Sequence, residues 1–267
     1  MSDVLFKDGI LENVLLVKRL APSLPQVRVL LLRVEKKTME KNFMNDNHGL
    51  KKSWIDNIKV QKEAYYKENP DSLVFQFENE LREQGVVFEI SQQAIGFMPK
   101  NKKILLPIAI KYYREAKRLG KENEQNYFLD FFHFKGFEEV VPMLLQDFES
   151  SETNNLTRWF IADCLYQIRS KAYINRYIEI VLNPAYGINR QMIILLLGKL
   201  KDEAAIPTLI GLLDDEEVRI QTICALGDYK REEFRPYFER FVNENHSGWR
   251  KYAKVALKKL EKNYGDN

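Results

Sequence analysis

The chain has little of what β-rich, disulfide-bonded or membrane-spanning proteins need. Its 267 residues include 12 glycines and 9 prolines, which is low for the many turns of a β-sandwich. Two cysteines cannot build a disulfide framework, and they suit a reducing compartment. The strongest apolar run, Met192 to Leu197, is far too short to span a bilayer. A net charge of +3 does not by itself indicate nucleic-acid binding.

Motifs for catalysis and metal binding are also missing from the sequence. The histidines His48, His133 and His246 lie in separate segments, without a second His or Cys at metal-ligand spacing. Neither a glycine-rich phosphate loop nor a nucleophile elbow occurs. We therefore predict a protein that is not an enzyme and that uses no metal or cofactor.

The N-terminal residues do not have the pattern of a secretory signal. The first nine, MSDVLFKDG, carry acid where a signal peptide requires base, and no long uncharged stretch follows them. With 45% apolar and 30% charged residues, the chain can bury a large core and stay soluble. We expect a soluble, cytoplasmic protein that does not bind a membrane.

What the sequence does contain is one pattern repeated four times. Each copy opens an apolar helical run with an arginine, and the arginines are separated by 32, 29 and 31 residues. A leucine follows each arginine seven residues later. The arginines are Arg158, Arg190, Arg219 and Arg250, and the leucines are Leu165, Leu197, Leu226 and Leu257. A period of about 30 residues, built from helix pairs, is typical of an α-solenoid.

Residues 204–227 form the clearest copy of the repeat. Pro207 is expected in the first turn of a first helix, where its missing N–H is not needed. Asp214 and Asp215 are expected to end that helix and cap the second one. The second helix runs through valine, arginine, small apolar residues, leucine and glycine, here Val218, Arg219, Ala225, Leu226 and Gly227.

This order of residues resembles the HEAT-repeat family, in particular the short bacterial repeats first described in phycobilisome lyases. Residues 140–168, 174–200 and 234–260 keep parts of the same order. The resemblance implies an all-α fold, a right-handed α-solenoid of the armadillo or HEAT type made of antiparallel helix pairs. Because solenoids are binding surfaces far more often than catalysts, it also implies a role in protein interaction.

The repeat extends upstream and then fades. Pro107 lies 35 residues before Pro142, and Gln125 takes the arginine position of a further unit. Residues 71–98 have the pattern of one more degenerate pair. We interpret residues 71–267 as a HEAT-like solenoid of about five to six helix pairs. Residues 1–70 are interpreted as an atypical helical cap that is continuous with it, since terminal repeats have one face in water.

Helical geometry divides the second helices into a core side and an exposed side. Counted from each arginine, positions 3, 4, 6, 7 and 10 are apolar or small and are predicted to be core. Positions 1, 2, 5 and 9 then form an exposed stripe on the concave surface. This stripe has more aromatic and aliphatic residues than an ordinary solvent-exposed surface. The predicted partner-binding residues of this stripe are Tyr127, Asp130, Phe134, Trp159, Phe160, Asp163, Met192, Leu195, Ile220 and Tyr252.

Alternatives stay open for both the stripe and the arginines. A register error of one residue, or tight curvature, would bury the stripe against neighbouring repeats. Asp130 and Asp163 share one repeat position, so they are either solvated, paired with repeat arginines, or a receptor for basic groups of a partner. The repeat arginines follow acidic turns, which favours inter-repeat hydrogen bonds to carboxylates over direct contact with a ligand.

Basic residues are concentrated between Pro99 and Lys121, where Glu115 is the only acid. On a helix predicted over residues 103–119 they cover an outer face and both ends. A phosphate backbone could bind such a patch, and the alternative is a solvated convex face on which lysine stems shield apolar surface. The residues of the predicted nucleic-acid patch are Lys100, Lys102, Lys103, Lys111, Arg114, Lys117 and Arg118.

One pair of residues keeps an enzymatic interpretation open. Trp159 and Asp163, four residues apart, place an indole beside a carboxylate. The pair is similar to the concave Trp and Asp of HEAT-like bacterial DNA glycosylases that remove alkylated purines. The similarity is confined to these two residues, and the stripe lacks the dense basic lining that gripping DNA requires.

The sequence as a whole favours a bacterial, non-enzymatic scaffold that holds another protein on its concave stripe. Within that class, resemblance suggests an immunity-type inhibitor or an accessory factor that acts by occlusion. Apolar side chains would anchor the partner, while Asp130 and Asp163 would meet its basic groups. The alternative is a nucleic-acid-binding HEAT-like protein, with alkylpurine DNA glycosylase activity as its enzymatic form.

Overall fold

The structure, a computed structural model, describes residues 48–86 and 96–264, and all regular secondary structure in these ranges is helical. Tertiary contacts divide the chain into two compact units, Met1–Phe128 and Leu129–Asn267. The α-helices are α1 (His48–Glu68), α2 (Leu73–Glu83), α3 (Lys102–Arg118), α4 (Glu122–Leu129), α5 (Val141–Glu149), α6 (Asn155–Ile168), α7 (Ile174–Leu182), α8 (Gln191–Leu200), α9 (Ile206–Gly211), α10 (Arg219–Tyr229), α11 (Arg235–Glu239) and α12 (Ser247–Tyr264).

In the first unit, α2 and α3 pack together around an aromatic core. The Phe77 ring lies 5.6 Å from that of Tyr112 and 5.3 Å from that of Phe128, in edge-on contacts. Glu124 of α4 accepts hydrogen bonds from the Ser72 hydroxyl at 2.7 Å and from the N–H of Leu73 at 3.0 Å, so it caps α2. Most of the predicted cap, residues 1–70, lies outside the described residues, as do residues 87–95 of the degenerate pair.

The second unit consists of four consecutive helix pairs. The contacting pairs are α5 with α6, α7 with α8, α9 with α10, and α11 with α12. The second helices α6, α8, α10 and α12 also pack on one another in chain order. Pro142, Pro207 and Pro236 lie in the first turns of α5, α9 and α11, where the sequence predicts helix starts.

A 3-10 turn precedes the first helix of each pair, and a residue in the left-handed conformation follows three of the second helices. One 3-10 turn leads into each first helix: Glu138–Val140, Lys171–Tyr173, Glu203–Ala205 and Glu232–Phe234. The second helices α6, α8 and α10 end at Arg169, Lys201 and Lys230, whose φ angles are 59°, 52° and 55°. This left-handed conformation ends a helix and turns the chain back, and glycine is the usual residue for it. Here long basic residues take that position in three successive repeats, at the negative end of the helix dipole.

The predicted core positions of the second helices are confirmed in three repeats. In α6, α8 and α10, the residues 3, 4, 6, 7 and 10 positions after the arginine are all buried. In α12 the pattern loosens, because Lys254 is exposed at position 4. This helix has no following repeat in the described residues, so its outer side meets water.

Of the described helices, none is by itself both long and apolar enough to cross a membrane. One bent pair, Lys171–Leu182 with Pro184–Leu200, meets the length and composition criteria together, with a bend of 115° between its halves.

Candidate partner-binding surface

The repeat arginines hold each helix pair together by bonding main-chain carbonyls. Arg158 Nε donates to the Phe148 carbonyl at 2.8 Å, and Arg219 Nε donates to the Leu213 carbonyl at 2.7 Å. Phe148 lies in the last turn of α5 and Leu213 lies two residues after the end of α9, where carbonyls lack helical partners. Arg250 likewise donates to the Asn245 carbonyl at 2.8 Å. The arginines therefore have a structural role, but their shared acceptor is the main chain of their own repeat.

Arg190 adds the inter-repeat contact that the sequence suggests for the arginines. Its side chain is 1% exposed and donates to the carbonyls of Gly187 at 3.0 Å and Val181 at 3.2 Å. Its Nη2 lies 2.8 Å from a carboxylate oxygen of Asp215 and 3.2 Å from one of Glu217. Both carboxylates belong to the next repeat, so one guanidinium joins two repeats.

Glycines let the second helices approach closely. A Cβ built on Gly198 of α8 would lie 2.5 Å from the Cα and 2.8 Å from the Cβ of Ala225 in α10. One repeat later, a Cβ on Gly227 would lie 3.0 Å from the Cβ of Ala256 in α12. Small residues at corresponding positions thus set the spacing of the second helices, and with it the spacing of the side chains on their outer side.

The structure corrects the predicted stripe at three residues. Phe160 and Met192 are each only 8% exposed, and Asp130 is 7% exposed. Position 2 of a repeat lies about 40° around the helix from core position 6, so large apolar residues there fold over the core edge. The helical count does not apply to Asp130, because α4 ends at Leu129 and the residues after it do not follow helical geometry.

The remaining predicted residues keep partial exposure. Trp159, Asp163, Leu195, Ile220 and Tyr252 are half-buried on the second helices of the second unit. Two further predicted residues lie elsewhere: Tyr127 is half-buried in the first unit, and Phe134 is half-buried in a turn, 5.2 Å from the ring of Phe137. We define the second-helix face as the residues at positions 1 and 5, namely Trp159, Asp163, Gln191, Leu195, Ile220, Cys224, Lys251 and Val255.

Trp159 and Asp163 lie on this face as a neighbouring pair on α6. The Trp159 ring packs edge-on against Phe160 at 5.4 Å. The Asp163 carboxylate accepts a hydrogen bond from the Gln167 amide at 3.4 Å. The glycosylase interpretation of this pair stays a prediction.

A row of alternating charges, which we call the charge ladder, crosses three second helices beside this face and was not among the predicted site residues. It consists of Lys199, Asp228 and Lys259. Lys199 of α8 and Lys259 of α12 donate to opposite oxygens of Asp228 in α10, at 2.7 Å and 2.6 Å. All three occupy position 9 of their repeats, so the alternation of charge at this position is the signal that could have revealed them. Burial opposes ionisation of Asp228, but the two lysine bonds outweigh it and hold the pKa of its carboxyl below the usual value.

The ladder predicts a loss of stability in acid. We expect Asp228→Asn to lower the free energy of unfolding by about 1–2 kcal/mol at pH 7, because two part-exposed ammonium groups lose their acceptor. Since the folded pKa of Asp228 lies below its unfolded value of 3.8, the contribution is fully present above that pH and is lost as the pH falls through the folded pKa. Urea unfolding from pH 7 to pH 3 measures it.

The matched control for this prediction is Glu138→Gln, which removes the charge of an exposed carboxylate. We expect that variant to unfold with a free energy close to that of the wild type at every pH. A difference between Asp228→Asn and wild type that persisted undiminished at pH 3 would contradict the ladder as its cause.

The thiol of Cys224 is not activated, and that of Cys164 is buried. Burial raises the pKa of the Cys224 thiol to about 12, with the nearby carboxylate of Asp228 acting in the same direction. Cys164 is buried, and its thiol donates to the Leu129 carbonyl at 3.3 Å. Within the described ranges, no three His, Cys, Asp or Glu side chains converge on a common point.

The helix predicted over residues 103–119 is confirmed as α3, and Lys111 and Arg118 of the predicted basic patch are paired with carboxylates. Lys111 Nζ lies 2.6 Å from a carboxylate oxygen of Glu80, and Arg118 lies 2.6 Å from one of Glu115. Lys102 and Lys117 are half-buried. The exposed cations of the patch are Lys100, Lys103, Lys111, Arg114 and Arg118.

Helix pairs that follow one another in chain order, and whose second helices pack in succession, define a helical-repeat protein. A family model described as HEAT repeats matches residues 174–258, which contain α7 to α11 and the first two-thirds of α12. This segment is therefore similar to HEAT repeats, and the all-helical structure is consistent with an α-solenoid. No curated protein matches the chain.

Proposed function

We propose that this chain is a non-catalytic, HEAT-like scaffold that binds a protein partner through the second-helix face. The observation that carries the proposal is the row of apolar side chains left half-buried or exposed on successive second helices. Trp159, Leu195, Ile220 and Val255 occupy positions 1 and 5 of four repeats in the second unit. Val255 is 42% exposed. Such residues cost free energy in water and supply anchors in an interface.

The form of the site also supports this proposal. Phe160 and Met192, which adjoin Trp159 and Gln191 of the face, are buried, and buried side chains are held in place by their neighbours. Asp163 lies beside Trp159 and offers a carboxylate to a basic group of the partner, whereas Asp130 is too deeply buried for this role. A rigid apolar row with charge at its edge has the composition of a protein interface.

By resemblance, we propose that the scaffold acts as an immunity-type inhibitor or as an accessory factor. Its mechanism is occlusion: the partner's functional surface is covered while it lies on the second-helix face. No reacting group of the scaffold is needed for this, in keeping with the raised pKa of the Cys224 thiol.

The proposal is tested by introducing charge into the face. We expect the double variant Leu195→Asp, Val255→Asp to retain about tenfold less partner, or less still, in a nuclease-treated pull-down, because two carboxylates would be buried without partners. The control, Leu182→Asp with Ile188→Asp, changes side chains that are 55% and 42% exposed off the face. Bound proteins are identified by mass spectrometry.

The two double variants separate the proposed face from general effects of charge. A protein retained by the wild type and the control, and lost by the face variant, supports the proposal. Equal retention by all three forms, or loss by the control, would show that the partner does not bind on this face. Circular dichroism of each variant verifies that the helices are intact.

A further inference from the structure

The exposed side of α3 in the first unit carries a row of cations, and the opposite, apolar side is buried in the protein. Leu105, Ile108, Ala109, Tyr112 and Ala116 face the core and are buried. On the opposite side every exposed charged residue is basic, beside the exposed Ile104 and Pro107, and we define the basic face as Lys103, Lys111, Arg114 and Arg118 of α3 together with Lys100 just before it. A helix of 17 residues is about 25 Å long, so these charges form an extended row.

Acidic residues neutralise only part of the basic face. Glu80 pairs with Lys111 and Glu115 pairs with Arg118, and both pairs are exposed, so water and salt weaken them. Among the described residues, no carboxylate pairs with Lys100, Lys103 or Arg114. Lys103 and Arg114 lie on one side of α3 and Lys100 lies just before it, so three cations on this side of the unit have no acid to offset their charge.

We propose that the basic face binds the phosphate backbone of nucleic acid without reading its sequence. An extended row of cations matches a polymer that carries charge at regular short intervals, rather than a compact anion. Lysine and arginine contacts to phosphate position a nucleic acid but carry no base information. The residues of this proposal all belong to the first unit, and none of them is part of the second-helix face.

The side chains around the basic face distinguish nucleic acid from other anionic partners. A membrane-surface helix needs an apolar side free to enter lipid, and that side of α3 is already buried in the protein. Protein interfaces need aromatic or aliphatic anchors at their centre. Ile104 and Leu119 are each 45% exposed and lie about 22 Å apart along the helix, and Phe97, 40% exposed, precedes it, so the five cations of the basic face outnumber these three apolar side chains.

The test is fluorescence anisotropy of a mixed-sequence duplex of about 20 base pairs with the full chain, between 50 and 200 mM salt. We expect binding at 50 mM salt that weakens steeply as salt rises. The triple variant Lys100→Gln, Lys103→Gln, Arg114→Gln should bind about tenfold or more weakly at 50 mM salt. The slope of log K against log salt should become less steep by about 2 to 3, close to one for each phosphate contact removed.

A charge-matched control isolates the position of the cations from their number. Lys171→Gln, Lys254→Gln, Lys258→Gln removes three exposed lysines of the second unit and changes the net charge equally. It should keep the affinity and the slope of the wild type. Absence of duplex binding at 50 mM salt, or equal losses in both triple variants, would overturn the proposal.

Vesicles of phosphatidylcholine with phosphatidylglycerol are the second probe. The wild type should bind the duplex in preference to these vesicles. Vesicle binding that the basic-face variant abolishes, without duplex binding by the wild type, would assign the surface to lipid and overturn the proposal. Retention of the protein partner in the pull-down should be unchanged in the basic-face variant, so the two proposals fail or stand separately.

Discussion

Replacing Arg190 by alanine should lower the free energy of unfolding by about 3–4 kcal/mol, more than any other single arginine change in the second unit. Its guanidinium is almost fully buried and joins two carbonyls of its own repeat to two carboxylates of the next. Alanine would leave the Val181 carbonyl without this donor and open a cavity the size of the side chain. Urea or guanidinium unfolding measures the loss.

The matched control for Arg190→Ala is Arg176→Ala. Arg176 also has two carboxylate partners, Glu149 and Glu179, but its side chain is 50% exposed. Exposed ion pairs contribute little, so we expect a change of about 0.5 kcal/mol or less. If both alanine variants lost the same stability, burial and the carbonyl bonds of Arg190 would not be the cause.

The variant Arg190→Lys separates the effect of the positive charge from that of the several hydrogen bonds that the guanidinium donates. Lysine keeps the positive charge near Asp215 and Glu217 but cannot donate in several fixed directions at once. We expect an intermediate loss of stability. A lysine variant as stable as the wild type would show that charge alone is needed at this position.

Local patterns in the sequence predicted the repeat and its core, because these depend on neighbours along one helix. The apolar positions 3, 4, 6, 7 and 10 and the first-turn prolines follow from helical geometry, and the spacing of the arginines follows from the length of one repeat. The HEAT-repeat match over residues 174–258 supports the same interpretation. Antiparallel pairing and the right-handed superhelix stay predictions.

The errors arose where contacts between helices, or the end of a helix, decide the outcome. Phe160 and Met192 are buried because large side chains at the edge of the core fold inward, which a count of positions does not show. The helical count fails at Asp130 because α4 ends one residue before it. Arg190 makes the predicted inter-repeat contact with carboxylates, whereas Arg158 and Arg219 bond main-chain carbonyls, which are acceptors that no sequence pattern displays.

Replacing Gly198 by alanine should destabilise the second unit by about 2–3 kcal/mol, although alanine favours helices over glycine by about 1 kcal/mol. The added Cβ would lie 2.5 Å from the Cα and 2.9 Å from the carbonyl oxygen of Ala225. Both are main-chain atoms, so a rotamer change cannot relieve the overlap. The helices α8 and α10 must move apart, and the loss appears as a lower denaturant midpoint.

Two glycine variants and one double variant make the Gly198 prediction specific. At Gly211, the last residue of α9, an added Cβ has nothing within 4 Å, so Gly211→Ala should be neutral or slightly stabilising. At Gly227 the nearest atom is the Ala256 Cβ at 3.0 Å, so Gly227→Ala should cost about 1 kcal/mol. Ala225→Gly should rescue Gly198→Ala only partly, because the Cα and oxygen contacts remain.

The same substitution also connects helix spacing to partner binding. Separating α8 from α10 moves Leu195 away from Ile220, and both lie on the second-helix face. At a temperature where Gly198→Ala is still folded, we therefore expect it to retain less partner than Gly211→Ala does. Full retention by a folded but destabilised Gly198→Ala variant would mean that the partner does not span these two repeats, and that the apolar row binds through fewer helices than proposed.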